Sequence, residues 1–219
     1  PKQHHAIHGF IKDKKLDIIR EESDNERAIL TLAYKHNGET KGYPFKFFVE
    51  INYILTKDGF ECKTTIENKE DEQSIPVGDG WHPYFTTGSD ISELELKLPI
   101  EQKIEVNDRQ IPTGNKTHLN EFKTFKKIGG TILDTCFTIE QTNKAITEIK
   151  DLKKDLTIKI WQETGKNAYN FVQIFTPPKK TVIAIEPMTC NINAFNNKDG
   201  LIILKPKEYI TNSYGVSLI

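Results

Sequence analysis

Phe45-Lys46-Phe47-Phe48-Val49-Glu50-Ile51-Asn52-Tyr53-Ile54-Leu55-Thr56 sets an apolar residue at every second position, with Lys46, Glu50, Asn52 and Thr56 among those between. Side chains alternate across a strand, so this spacing turns one apolar face to a core and one polar face to water. The segment reads as a long, half-buried β-strand. Beyond Lys57-Asp58-Gly59 the alternation resumes, with Phe60, Cys62, Thr64 and Ile66 set against Glu61, Lys63, Thr65 and Glu67. The Asp-Gly step therefore reads as the turn of a hairpin between two long antiparallel strands.

Working outward, shorter alternating or apolar runs occupy 91–98, 133–140, 145–149, 156–161, 169–175, 181–185, 201–204 and 209–218. Asn143, Gly165, Pro177-Pro178 and Lys198-Asp199-Gly200 punctuate them, as turns require. No long window keeps a 3.6-residue apolar stripe, and β-branched and aromatic residues dominate the periodic parts. The fold class is all-β. That many strands must stack or close to hide their edges, which predicts a large antiparallel β-sandwich. Lysines on the solvent face, such as Lys46, Lys63 and Lys159, serve the same end by discouraging edge pairing. The Lys-rich stretch 123–127 reads as a solvated loop.

The chain has 219 residues, which fits one domain spanning 1–219. Thirty Lys and Arg against 31 Asp and Glu give a net charge of −1, so no basic field attracts nucleic acid or anionic lipid. With 37% hydrophobic and 28% charged residues the chain can bury a core and is not of the disordered class. No apolar run reaches the roughly 20 residues of a membrane helix, and the polar start is unlike a secretory signal. Cys62, Cys136 and Cys190 read as reduced, partly buried thiols, which favours the cytoplasm. His4, His5 and His8 do not make a metal site: His4 and His5 are adjacent, and no carboxylate or Cys stands at ligand spacing.

Two segments carry chemistry. In GDGWHPYFTTG (78–88), His82 is framed by Trp81 and by Pro83, which biases it toward an extended conformation. It reads either as a histidine aimed from a pocket wall or as one packed in an aromatic corner. In TVIAIEPMTCNINAF (181–195), Glu186 ends an apolar strand directly before Pro187. A carboxylate there is either a solvated strand end or a desolvated group with the raised pKa of a general base. Weaker signals are His8-Gly9-Phe10 and Asp134, which interrupts an apolar stretch.

Taken in order, HGF (8–10), YPF (43–45), GWHPYF (80–85), IPTG (111–114), LDTCF (133–137), FVQIFTP (171–177) and IEPMTCNINAFN (185–196) followed by LIILKPKEY (201–209) resemble the aldose 1-epimerase, or galactose mutarotase-like, family. The resemblance implies that family's large antiparallel supersandwich. It implies an isomerase that interconverts the α and β anomers of a small-molecule aldose, without cofactor or metal. Glu186 matches the base that takes the anomeric proton, and His82 the acid that protonates the ring oxygen. His8 and Asp134 match contacts to sugar hydroxyls, and Gln173 a polar contact near the first carbon. Trp81, Tyr84 and Phe85 would supply apolar walls.

Family members carry strands before the His-Gly-Phe segment, including an arginine that helps to hold the sugar. Seven residues precede His8 here, that arginine has no counterpart, and Lys12 stands where relatives show Arg. Two explanations stand open, an N-terminally truncated chain or a protein that lacks part of the pocket, and missing strands would leave a sandwich open at one sheet edge, either monomeric or dimeric. Two other readings share the scaffold. One is a hexose-6-phosphate epimerase, for which Arg20, Arg27 and Arg109 offer no cradle beside a matched motif. The other is a non-catalytic carbohydrate-binding relative.

Overall fold

The computed structural model describes residues 8–219. Its strands run in the order β1 (Asp17–Ser23), β2 (Arg27–Asn37), β3 (Lys46–Thr56), β4 (Gly59–Asn68), β5 (Ile75–Val77), β6 (Tyr84–Phe85), β7 (Glu95–Lys97), β8 (Ile100–Val106), β9 (Pro112–His118), β10 (Lys126–Lys127), β11 (Asp134–Ile139), β12 (Lys144–Asp151), β13 (Leu156–Glu163), β14 (Phe171–Phe175), β15 (Ile183–Met188), β16 (Ile202–Leu204) and β17 (Tyr209–Leu218), with a one-turn helix α1 (Ala194–Asn197) after β15. Nine strands form one sheet in the order β1-β2-β3-β4-β17-β13-β12-β7-β10, and six form a second, β6-β15-β14-β11-β8-β9. Every pairing is antiparallel, including the small ribbon β16-β5. The fold is the expected all-β sandwich. No helix among the described residues is long and apolar enough to cross a membrane.

Two cores hold the layers together. Leu96, Ile149, Ile158 and Ile160 of the larger sheet meet Phe137, Val172, Ile174, Ile183 and Ile185 of the smaller one. Phe47, Val49, Ile51, Cys62 and Ile66 meet the ribbon residues Ile75, Val77, Ile202 and Leu204. Each such side chain stabilises the fold by roughly 1.5–3 kcal/mol relative to exposure. The predicted hairpin β3–β4 is present, with Thr56 opposite Gly59. Its two turn residues are Lys57 and Asp58, and Gly59 opens β4 at φ 143°. A Cβ at Gly59 would lie 2.2 Å from the Val216 carbonyl oxygen on β17, so the glycine serves the close approach of a neighbouring strand.

The run 91–98 is not one strand. Ile91–Glu93 is a 3-10 turn whose N-cap Asp90 accepts a 2.8 Å hydrogen bond from the Ser92 N–H, and only Glu95–Lys97 pairs as β7. Ile91 and Leu94 are both buried, so the apolar signal is real while its period is not that of a strand. Strands β1, β2, β5, β6, β8, β9 and β10 have no counterpart among the runs read from sequence, and β10 pairs with β7 at the end of the Lys-rich stretch read as a loop. Cys62, Cys136 and Cys190 are free thiols, the first two buried.

Candidate active site

β15 alternates Ile183 and Ile185 into the inter-sheet core with Ala184 and Glu186 on the opposite face. The chain from Gly80 to Phe85 runs antiparallel beside it. The pairs Gly80↔Met188 and Tyr84↔Ala184 fix one continuous register, and that register sets His82 opposite Glu186. Two prolines shape the ladder between these pairs. The Trp81 N–H donates to the Pro187 carbonyl at 3.1 Å and the Ile185 N–H to the Pro83 carbonyl at 3.3 Å. Neither bond has a return partner, because proline carries no N–H. His82 and Glu186 are thus a non-hydrogen-bonded pair, the kind whose side chains stand closest. The His82 Nε2 lies 3.3 Å from the Glu186 Oε1.

Glu186 is 9% exposed. Burial, assisted by the nearby negative charge of Asp134, pushes its carboxyl up to about 7. Gln173, on β14, stands opposite Glu186 on one side and Cys136 on the other. Its Nε2 donates to the Asp134 Oδ1 at 2.7 Å, while its Oε1 is buried without a partner among the described residues. The His82 Nδ1 is likewise unpartnered among them. Buried polar atoms are nearly always satisfied in a folded protein, and two unpartnered ones beside His82 and Glu186 set this corner apart.

His8 enters from the opposite wall. His8 and Gly9 both have positive φ, 66° and 67°, and this left-handed turn brings the His8 ring edge-on to His82 with centroids 5.3 Å apart. Phe10 stacks on Tyr43 at 4.6 Å, and Tyr43 lies nearly parallel to Phe195 of α1 at 6.0 Å, anchoring the segment. Partial burial, with the charges of His82 and Lys12, lowers the pKa of His8. Tyr84 is half exposed and lies against the His82 ring, centroids 4.8 Å apart.

The structure therefore gathers His8, His82, Tyr84, Asp134, Gln173 and Glu186 around one point. Trp81 and Phe85, expected as walls of that pocket, alternate to the other face. Trp81 packs on Tyr53 and Tyr214 and donates its indole N–H to the Thr64 Oγ1 at 3.0 Å, while Phe85 packs on the inter-sheet core. What the motif reading passes over is Asp79, inside GDGWH itself. Its Oδ2 accepts a 2.5 Å hydrogen bond from the Tyr169 hydroxyl. A carboxylate between two glycines before an aromatic run is a signal that the sequence does contain. Among the described residues, no three His, Cys, Asp or Glu side chains converge to hold a metal ion; His4 and His5 lie outside them.

The aldose 1-epimerase family profile matches residues 1–217. The chain belongs to the aldose 1-epimerase family. Among curated relatives of this epimerase-family chain, the uncharacterized protein YihR of Escherichia coli K12 is 28% identical over 223 residues, covering 96% of the chain and 68% of YihR. Among solved structures, a galactose mutarotase-like protein from Clostridium acetobutylicum superposes with a TM-score of 0.85 at 22% identity, over 97% of the chain and 69% of that protein. The galactose 1-epimerase of Lactobacillus acidophilus gives 0.74 at 16% identity, over 93% and 66%. At these identities the superpositions speak for the fold.

Proposed function

We propose that the chain is an aldose 1-epimerase that interconverts the α and β anomers of a free aldohexose. The observation that carries this reading is His82 set in register against Glu186 at 3.3 Å, with the Glu186 carboxyl pushed up to about 7. Anomer exchange removes a proton from one oxygen of the anomeric carbon and delivers a proton to the other. One acid and one base converging on a single carbon serve it, and no activated nucleophile is needed. Glu186 takes the proton of the anomeric hydroxyl while His82 protonates the ring oxygen. The bond from the anomeric carbon to the ring oxygen breaks, giving the open aldehyde. Rotation about the adjacent carbon–carbon bond and closure with the roles reversed give the other anomer. Gln173, Asp134 and His8 hold hydroxyls, and Tyr84 offers an exposed ring to an apolar sugar face.

Polarimetry on freshly dissolved α-glucose and α-galactose tests the reading directly. Relaxation to the equilibrium rotation should accelerate in proportion to protein; binding without acceleration would make the chain a sugar-binding relative. A phosphorylated sugar is the weaker reading. Arg20 is engaged with Glu22 at 2.6 Å, Arg27 lies 3.9 Å from Asp24, and Lys12 is paired with Asp13 at 2.8 Å. Calorimetry should therefore find glucose 6-phosphate bound no more tightly than glucose, and a large preference for the phosphate would reverse the order.

The acid limb of the pH profile follows from the same site. A general base works deprotonated, so kcat/KM should rise with pH through about 7 as Glu186 ionises. Asp134 contributes to that raised value by like-charge repulsion. Asp134→Asn should accordingly move the acid limb to lower pH, while also weakening sugar binding. A limb that stays in place would separate Asp134 from the base.

A further inference from the structure

The His82 ring lacks the usual hold on a catalytic imidazole. Such a ring is ordinarily oriented by a hydrogen bond to its second nitrogen, yet the His82 Nδ1 has no partner among the described residues. Its orientation must come through the chain and through packing. The chain before it is fastened from both sides. The Asp79 N–H donates to the Thr189 Oγ1 at 2.9 Å, and the Thr189 N–H donates back to the Asp79 carbonyl at 2.9 Å. This clasp closes the two strands three residues beyond His82 and Glu186 alike.

Side chains extend the clasp inward. Asp79 accepts from the hydroxyl of Tyr169, a residue with no exposed surface whose own N–H and carbonyl are held by the Glu163 carbonyl at 3.0 Å and the Gln162 Nε2 at 2.8 Å. The Thr64 hydroxyl and the Gly80 N–H also stand near the Asp79 carboxylate and favour its ionised form. Thr64 in turn accepts from the Trp81 indole N–H at 3.0 Å. Two bonds, Tyr169 to Asp79 and Trp81 to Thr64, thus lie side by side between the core and the residue next to His82. Burial pushes the Asp79 carboxyl up to about 6. A carboxylate is costly to draw even partly out of water unless it is hydrogen-bonded.

Resting on the epimerase reading, we propose that Asp79 is a positioning residue: through its bond from the Tyr169 hydroxyl, beside the clasp with Thr189 and the Trp81–Thr64 bond, it locks residues 79–82 so that the His82 imidazole stays aimed at Glu186. Geometry errors near 1 Å remove roughly 10²-fold in rate, so a loosened strut shows in kcat before it shows in binding.

The test compares Asp79→Ala, Asp79→Asn and Tyr169→Phe in the whole chain, by polarimetric kcat and KM on an aldose that the wild type turns over. Alanine should lower kcat by roughly 10- to 100-fold with KM changed less than about threefold. Asparagine, which still accepts from Tyr169, should recover most of that loss, and Tyr169→Phe should fall between. If alanine lowers only the melting temperature and leaves kcat per folded molecule unchanged, the residue is structural and the proposal fails. Should alanine not fold, Tyr169→Phe decides: unchanged kcat overturns the proposal. A second readout needs no turnover. In a ¹H–¹⁵N imidazole spectrum the His82 Nε2 resonance should move in Asp79→Ala, as contact with Glu186 loosens, and an unmoved resonance overturns the proposal. A wild type that is inactive, with a His82 resonance that moves in this way on Asp79→Ala, removes the epimerase reading while leaving the strut in place.

Discussion

Glu186→Gln should abolish catalysed anomer exchange while leaving the sandwich folded. The amide matches the carboxylate in shape but has no proton-accepting oxygen of comparable basicity, so the general-base contribution, roughly 10²–10⁴ in rate, is lost. Stability should move the other way. The folded chain raises the Glu186 carboxyl from its ordinary 4.5 to about 7, mainly by burial. A group whose folded pKa is raised favours the fold below its unfolded pKa, and that contribution is lost as pH rises from about 4.5 through about 7. Above this window the wild type carries the full penalty of a buried carboxylate, on the order of 3 kcal/mol at most. The neutral amide carries none. Glu186→Gln should therefore melt higher than wild type at pH 8, with the gap closing toward pH 4. Loss of activity with a lowered melting temperature at pH 8 would mean that the side chain is a structural support, and retained activity would remove Glu186 as the base.

The reason the hairpin β3–β4 is legible and its neighbours are not lies in how many faces each strand buries. β3 and β4 bury one face strongly, against the ribbon, so the period of two survives in the sequence. β2 buries Ile29, Thr31 and Ala33 on one face and packs Leu32 and Tyr34 against the ribbon core on the other. Apolar residues on both faces erase the alternation. β1 is exposed throughout and β9 nearly so, so neither has a pattern to read. β8 fails for a subtler reason. A bulge between Ile100 and Gln102 switches faces, sending Ile100 into the inter-sheet core and Ile104 into the separate cluster with Cys136 and Phe171.

The site shows the same division. His82 and Glu186 stand out in sequence because each precedes a proline, and the local reading of those prolines is sound. What sequence cannot supply is the register that makes the two prolines partners in one broken ladder, since the segments are far apart in the chain. Tyr84 and Phe85 were equivalent as aromatic neighbours of His82; strand alternation alone sends one to the site and the other to the core. Asp79 has no meaning in its own stretch of sequence, because its role depends on Tyr169 and Thr64, which belong to other parts of the chain.

His82→Asn should lower kcat by roughly the general-acid factor of 10²–10⁴, with KM little changed. The choice of replacement sharpens the argument, because the imidazole faces Glu186 with Nε2. Glutamine can place an amide N–H near the position of Nε2 but cannot hand over a proton in the transition state. If His82 is the acid, His82→Gln should be nearly as slow as His82→Asn; if it only donates a hydrogen bond, glutamine should recover most of the rate. The double variant with Glu186→Gln separates a unit from two independent contributors. Groups that act together in one proton exchange are strongly non-additive. The double variant should then be little slower than the slower single one, whereas multiplied losses would mean that His82 and Glu186 do not act on the same step.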